Sequence, residues 1–235
     1  MLKIGIIGLG DIAQKAYLPV ISSMKDLELH LFTRNEEKLE EISQKYRFSN
    51  IHPSLKFLIK SGITAAFVHS STDSHYEIIK ELLLNDIHVY VDKPITNHYE
   101  TAKELVELAE TRKLILMTGF NRRFAPTYQS LKEVVNPNMI IMQKNRHSLP
   151  GDIRTFVFDD FIHVIDTVRY LMNDEIENFI VHGRKNGDQL YHVVVQFFSN
   201  ESTAIAIMNR NSGSEEEKVE IMGPRKKGRS IIYPN

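Results

Sequence analysis

The amino-acid sequence predicts an α/β protein that begins with a doubly wound parallel sheet and continues into an α+β domain with a mainly antiparallel sheet. Three observations support this fold class. Short β-branched runs alternate with longer helical patterns over residues 1–120, which is typical of βαβ units. A pair of glycines follows the first of these runs. Beyond Phe124 the alternation stops, and we therefore predict one domain over residues 1–120 and a second over residues 121–235.

Each strand of the first domain is predicted from a short apolar run that ends at turn-forming residues. These strands are residues 3–7, 27–33, 65–69, 88–91 and 114–118. Each helix is predicted from apolar residues that recur at helical spacing. These helices are residues 12–24, 36–46, 74–85 and 99–111.

The second domain has a different pattern. One helix is predicted up to about residue 135, and a more prominent one covers residues 159–172. Strands are predicted at residues 139–145, 176–183, 189–198 and 203–208. Short turns join the last three strands. Asn186-Gly187 has the chemistry of a tight hairpin, because both residues tolerate positive φ angles.

The composition excludes several classes of protein. The 29 basic and 30 acidic residues nearly balance, which disfavours nucleic acid as a partner and favours a small molecule. Cysteine is absent, and with it disulfides, thiolate metal sites and cysteine nucleophiles. No apolar run approaches the roughly 18 residues of a membrane span. The apolar N-terminus is interpreted as a buried strand rather than an export signal, so we expect a cytoplasmic protein.

The first strand leads into a dinucleotide-binding motif. The hexapeptide Gly8-Leu9-Gly10-Asp11-Ile12-Ala13 fits G-x-G-x-x-G/A at a strand-to-helix turn, the fingerprint of a Rossmann domain. The first glycine permits the tight turn, the second lets the backbone approach a pyrophosphate, and the small alanine lets the helix pack on the strand. We therefore expect Gly8, Gly10, Asp11, Ile12 and Ala13 to hold a cofactor. Methyltransferases also use such loops, so the motif alone does not name it.

The end of the second strand bears on the choice of cofactor. NAD-binding proteins usually carry a carboxylate there for the ribose hydroxyls, whereas this chain has Thr33 and Arg34. A hydroxyl and a cation suit the 2′-phosphate of NADP(H), which is therefore preferred. NAD(H) stays open as the alternative, because Glu36 or Glu37 can approach the ribose.

A further motif stands at a strand end. Asp92-Lys93-Pro94 lies where open α/β sheets bind ligands, although a lysine there is ordinarily a solvated turn residue. Together with Gly8-Leu9-Gly10 and Asp159-x-x-x-His163, it resembles the glucose-fructose oxidoreductase and inositol dehydrogenase family, Gfo/Idh/MocA. The likeness covers nearly the whole chain. Gly119-Phe120-Asn121-Arg122-Arg123 and Lys144-Asn145-Arg146 are most similar to the MviM-related branch.

The resemblance implies three catalytic residues. In the family a Glu-Lys-Pro motif follows the fifth strand and its lysine acts close to the nicotinamide, so Lys93 takes that role, with Asp92 in place of the commoner glutamate. His163 becomes the general acid/base and Asp159 its partner, four residues apart and so on one helix face. Without the family likeness, Asp159 or Asp160 would be a helix cap and His163 a semi-buried histidine.

Other positions follow from the same resemblance. Ser70 and His75, in the segment after the fourth strand, are expected to lie near the cofactor, although His75 also fits the first turn of a helix. Asn121, Arg122 and Arg146 offer amide and cationic groups to the hydroxyls or a carboxylate of a substrate. Their alternative role is structural pairing with Asp or Glu.

Two positions on the second-domain helix have a different significance. Asp166 matches a family aspartate to which we assign a structural role. Phe161 stands where many members have glycine, which predicts a narrower site. Asp159 and His163 lack a third ligand, so no metal is expected.

The expected reaction is hydride transfer between a nicotinamide and a carbinol or carbonyl carbon of a sugar, polyol or related small molecule. The alternative is a non-catalytic dinucleotide-binding regulator or a truncated, inactive member. Family members commonly exceed 300 residues, and the pattern of the family is lost at Arg225-Lys226-Lys227-Gly228-Arg229, so we expect a second domain that is cut short. We also expect a homodimer through the sheet of that domain, and no membrane partner.

Overall fold

The structure, a computed structural model, describes residues 1–232. The chain forms two compact units, of which the first is Met1–Gly119 and the second begins at Phe120. Among the described residues, no helix is both long and apolar enough to cross a membrane.

The first unit contains the predicted parallel sheet. Its five strands pair in the order β2-β1-β3-β4-β5, all parallel. Because the winding reverses between β1 and β3, the ligand-binding crevice of such a sheet is expected at the carboxyl ends of these two strands. The strands are β1 Leu2–Ile7, β2 Leu27–Phe32, β3 Ala65–Val68, β4 His88–Val91 and β5 Leu116–Thr118.

Helices of the first unit follow the predicted periodicity, with two differences. The first helix winds as a π turn, Ala13–Tyr17, before α1, Leu18–Ile21. The segment after α2 holds a short unpredicted helix, α3, Leu55–Lys60, which is capped by Ser54 and too short to show a period. The other helices are α2 Glu36–Tyr46, α4 Thr72–Leu84 and α5 Tyr99–Thr111.

The position of Asp92-Lys93-Pro94 in the strand count needs a correction. The motif follows β4, the fourth strand, and not the fifth. Between β2 and β3 the chain makes only an isolated bridge from Ile51 to Leu31, so no extra strand forms there. By the same count Ser70 and His75 follow the third strand, β3.

The second unit is a seven-stranded sheet covered by helical segments, which confirms the predicted fold class. Among the described residues of this unit, only β6 and β10 pair in parallel, and the other pairs are antiparallel. Residues 227–232, which overlap the segment where we expected the family pattern to end, form a strand against β11. The strands are β6 Met139–His147, β7 Gly151–Asp152, β8 Asn178–Asn186, β9 Gln189–Phe198, β10 Thr203–Ser212, β11 Glu216–Met222 and β12 Lys227–Ile232.

Its helices are more broken than predicted. The expected helix up to residue 135 is only α6, Pro126–Gln129, between two 3-10 turns, because Ala125 before the proline is extended. The prominent helix begins earlier than expected, with α7, Ile153–Thr155, which Asp152 caps. It then runs through a π turn, Phe156–Phe161, into α8, Ile162–Leu171.

The core of the second unit lies between α8 and the sheet. Val164 and Val168 on the helix pack against Ile140 and Met142 on β6, all fully buried. Along the same face of β6 the next inward position is Lys144, which is 3% exposed. The apolar layer therefore gives way to charged side chains at one end of the sheet.

Candidate active site

The glycine turn after β1 is shaped by the neighbouring strand. Gly8 has φ +86°, and a Cβ there would lie 2.6 Å from Ser70 N and 2.8 Å from His69 O. Gly10 differs, since a Cβ there would meet nothing within 4 Å. The first glycine is thus required by the protein itself, whereas the second leaves space beside the backbone, as a bound pyrophosphate requires.

A crevice of about 450 Å³ opens at this turn. Its walls include five of the predicted cofactor residues: Gly8, Gly10, Thr33, Arg34 and Ser70. Asp11, Ile12 and Ala13 are not in its wall, and they begin the helix behind the turn. The open space at Gly10, the serine hydroxyls and the helix start fit a dinucleotide.

The wall of this crevice carries charges of both signs. Arg34 is exposed and lies in the wall, whereas Glu36 and Glu37, the carboxylates considered for NAD, do not. Glu77, which was not predicted from the sequence, contributes a carboxylate to the wall from α4. Its position on the helix that follows β3 is the sequence feature that could have identified it.

His75 lies beneath the crevice and not in its wall. The residue is 1% exposed. Its Nδ1 lies 3.0 Å from Pro94 O, and its Nε2 lies 3.0 Å from Ser70 O. The imidazole therefore links the loops that follow β3 and β4, so its effect on a cofactor would pass through Ser70 and the Lys93-Pro94 segment.

A hydrogen-bonded network holds the carboxylate that precedes Lys93. His69 Nδ1 lies 2.8 Å from Asp92 Oδ2, and Tyr17 Oη donates to Asp92 Oδ1 at 3.1 Å. Tyr90 Oη lies 2.9 Å from Tyr17 Oη. Burial, the Tyr90 contact and the Asp92 charge raise the pKa of Tyr17, which keeps it a donor. Lys93 itself is half-buried, next to the buried Pro94.

His69 and Tyr17 were not predicted as site residues from the sequence. His69 stands directly after β3, at the same sheet edge that drew attention to Lys93, so the edge rule could have found it. Tyr17 closes the π turn, and such turns are frequent at functional sites. Its ring centroid lies 4.1 Å from that of His69.

In the second unit, Asp159 and His163 stand on different kinds of helix. Asp159 is exposed within the π turn, and His163 is half-buried in the first turn of α8. The two residues are still about one helical turn apart, so their side chains can lie on the same face of the helix. Neither Asp159 nor Asp160 is the helix cap that we considered, since Asp152 accepts from Thr155 N at 3.0 Å.

Glu217 forms ion pairs with both arginines that were predicted to bind substrate. Arg122 binds it through Nε at 3.0 Å and Nη2 at 2.7 Å, and Arg146 Nη2 lies 3.2 Å away. Lys144 Nζ is 3.6 Å from the same carboxylate and also contacts Asp160. Burial would raise the pKa of Glu217, but these three cations lower it to about 2.

A polar pocket of about 310 Å³ lies beside this carboxylate. Asn121, Arg122 and Arg146, the three residues predicted to bind substrate together with Asp159, are in its wall, and Asp159 is not. Tyr128 and Glu217 complete its polar lining. Sequence reasoning did not identify Glu217, because its partner Arg122 is 95 residues away and no local pattern joins them.

Two other predictions concern the core of this unit. Asp166 is buried and receives a forked contact from Arg123, through Nε at 3.0 and 3.1 Å and through Nη2, as suits a structural role. Phe161 is buried in the hydrophobic core and is not in the wall of the polar pocket. Among residues 1–232, no group of three or more side chains is arranged to hold a metal ion.

Each of the two units matches a known protein family. Residues 2–120 match the oxidoreductase family with an NAD-binding Rossmann fold, GFO_IDH_MocA, and residues 126–229 match the YceM-like C-terminal domain. YceM of Salmonella typhimurium, which is named as an oxidoreductase, is 37% identical over 93% of this chain and 72% of its own length. The myo-inositol 2-dehydrogenase of Thermotoga maritima is 28% identical over 95% of this chain and 73% of its own.

A crystal structure of the dehydrogenase MviM from Clostridium difficile superimposes with a TM-score of 0.88. It is 37% identical, and the match covers 98% of this chain and 77% of that one. The family match and the fold thus define an oxidoreductase with a Rossmann domain for a nicotinamide cofactor. The chain belongs to the Gfo/Idh/MocA family, as its motifs predicted.

Proposed function

We propose that the chain transfers a hydride between a nicotinamide and a carbinol or carbonyl carbon of a sugar, polyol or related small molecule. One observation carries this proposal: Lys93 follows a carboxylate fixed by Tyr17 and His69 at the ligand-binding edge of the sheet. A solvated turn lysine needs no such support. The inositol dehydrogenase among the relatives supports an alcohol or ketone substrate.

The crevice residues would hold the dinucleotide, with the phosphates at Gly10 and the serine hydroxyls around it. When bound, the nicotinamide ring supplies the hydride acceptor or donor. Lys93 stabilises negative charge that develops on the reacting oxygen. His163 exchanges a proton with that oxygen, and Asp159 orients the imidazole or a substrate hydroxyl.

Two single variants test these roles. Lys93→Ala and His163→Ala should each lower kcat/KM by at least about a hundredfold, as is typical when a general acid or a charge-stabilising group is lost. The affinity for the cofactor should stay within about threefold of wild type. The exposed residues Lys60 and His182 supply matched controls, Lys60→Ala and His182→Ala. Full activity in both active-site variants would refute the mechanism, and cofactor binding with no turnover by wild type would favour a regulator.

We further propose that NADP(H) is the preferred cofactor. Support comes from the exposed Arg34 and the half-buried Thr33 in the crevice wall, since a guanidinium suits a 2′-phosphate. Glu77 in the same wall is the competing influence, because a carboxylate favours ribose hydroxyls.

We also propose a homodimer. Phe179 and Val181 on one face of β8, and Ile180 on the other, are 56–59% exposed, and exposed apolar side chains of this kind are typical of an interface. Light scattering after gel filtration should give twice the chain mass, and Ile180→Asp should give the monomer. A wild-type monomer at micromolar concentration would contradict this proposal.

A further inference from the structure

In the charged cluster at the end of the second-unit sheet, the positive charges outnumber the negative ones. Its cations are Arg122, Lys144, Arg146 and Arg210, and its carboxylates are Asp160 and Glu217. Four cations against two carboxylates leave an excess of two positive charges. Even if the exposed Asp159 is added, one positive charge remains in excess.

Burial makes this excess significant. Lys144, Glu217 and Arg210 have side chains that are only 4%, 8% and 11% exposed. Charges removed from water destabilise a protein unless they are paired and hydrogen-bonded. The low pKa of Glu217, despite its burial, reports a strongly positive potential at the position of its carboxylate. A second anion placed next to it would be stabilised by the same potential.

The pocket also has donors left for such an anion. Arg122 directs Nε and Nη2 to Glu217 and also interacts with Tyr128, and its Nη1 is not one of the atoms that hold Glu217. Arg146 uses Nη1 and Nη2 on Asn145 O and Glu217, and its Nε bonds none of residues 1–232. The Asn121 amide lies in the same wall. The volume of about 310 Å³ is enough for a small organic anion.

We propose that this pocket binds an oxyanion group, a carboxylate or a phosphate, and that the substrate of the oxidoreductase is an acidic sugar or polyol derivative. The identification of the ligand as substrate rests on the proposed function, whereas the anion site does not. Planar guanidinium forks already hold the Glu217 carboxylate here, and the same geometry suits a second oxyanion.

Thermal unfolding with added anions tests the site without any turnover. Inorganic phosphate and D-gluconate, each at about 20 mM against sodium chloride of equal ionic strength, should raise the Tm of the full chain by a few degrees. D-glucose should not. The apparent affinity for the anions should fall about tenfold or more in Arg146→Gln and partly recover in Arg146→Lys. The exposed Arg169 provides the control, Arg169→Gln, which should behave as wild type.

The different ligands and variants in this experiment distinguish a carboxylate site from a phosphate site, and either from no anion site. Phosphate can also bind at the glycine turn of the first unit, but that contribution is the same in wild type and Arg146→Gln. A response to gluconate alone assigns a carboxylate, and a response to phosphate alone assigns a phosphate. No response, or an equal response in wild type and in both Arg146 variants, overturns the anion site. Failure of Lys93→Ala and His163→Ala to lower activity would overturn only the proposed reaction.

Discussion

His69 Nδ1 lies 2.8 Å from Asp92 Oδ2, so the residue directly after β3 is tied to the carboxylate that precedes Lys93. Tyr17 donates to the other oxygen of this carboxylate. The Tyr17 contact needs an acceptor at Asp92, and the carboxylate offers an oxygen to each of its two neighbours. The pair therefore fixes the backbone from which Lys93 extends.

Asp92→Asn should lower kcat by about tenfold to a hundredfold with little change in cofactor affinity. The variant replaces one acceptor oxygen of Asp92 with an NH2 group, which is a donor and cannot accept a hydrogen bond from Tyr17 or His69. One contact is therefore lost, and Lys93 is less well positioned. Steady-state kinetics with cofactor titration measures both quantities. Asp92→Glu keeps the charge and should recover most of the activity. Equal loss in both variants would indicate that the charge is not what matters.

Arg34→Ala should weaken NADPH binding by about tenfold and leave NADH binding nearly unchanged, because only NADPH carries a phosphate for the guanidinium. Fluorescence titration of both cofactors under one set of conditions measures this. Lys45→Ala, which removes a cation from the last turn of α2, serves as the control. If NADH binding falls instead, the cofactor preference proposed above is wrong.

Substitution of the two glycines of the turn should affect different properties, cofactor binding for Gly10 and stability for Gly8. Gly10→Ala leaves the packing intact, because nothing lies within 4 Å of the added Cβ, and should weaken cofactor binding. Gly8→Ala should lower the free energy of unfolding by at least roughly 1–2 kcal/mol, the cost of a left-handed residue with a side chain. The contact of 2.6 Å with Ser70 N adds to this cost. Chemical unfolding and cofactor titration distinguish the two variants, and equal stability would refute the packing argument.

The sequence predicts elements best where the pattern is long and regular. Helix α5 was predicted with the bounds it has, Tyr99–Thr111, because its apolar spacing runs through three turns. The π turns, Ala13–Tyr17 and Phe156–Phe161, were not predicted, because the helical segments that contain them are too short to reveal a shift of one residue in the apolar pattern.

Site residues divide in the same way. Gly8 and Lys93 belong to local motifs, so the sequence alone singles them out. Glu217 was missed because its role depends on a strand pairing that sets Lys144 beside it, and side chains distant in sequence were needed to complete the cluster. Arg122 and Arg146 were predicted to bind substrate or to pair with a carboxylate, and the structure shows that they do pair with Glu217.

Glu217→Gln should destabilise the second unit in a pH-dependent way. The pKa of Glu217 is lowered from 4.5 to about 2, so its ionisation contributes about 3 kcal/mol to the free energy of unfolding at neutral pH. That contribution is complete above pH 4.5 and is lost as the pH falls towards 2. The variant should therefore be less stable than wild type at pH 7, and the difference should shrink by pH 3. Urea unfolding, with hydrogen exchange of β11 as the local readout, measures the difference at each pH. The exposed Glu215 supplies the control, since Glu215→Gln should change neither value. A difference that stays constant between pH 7 and pH 3 would show that the cations do not hold Glu217 ionised.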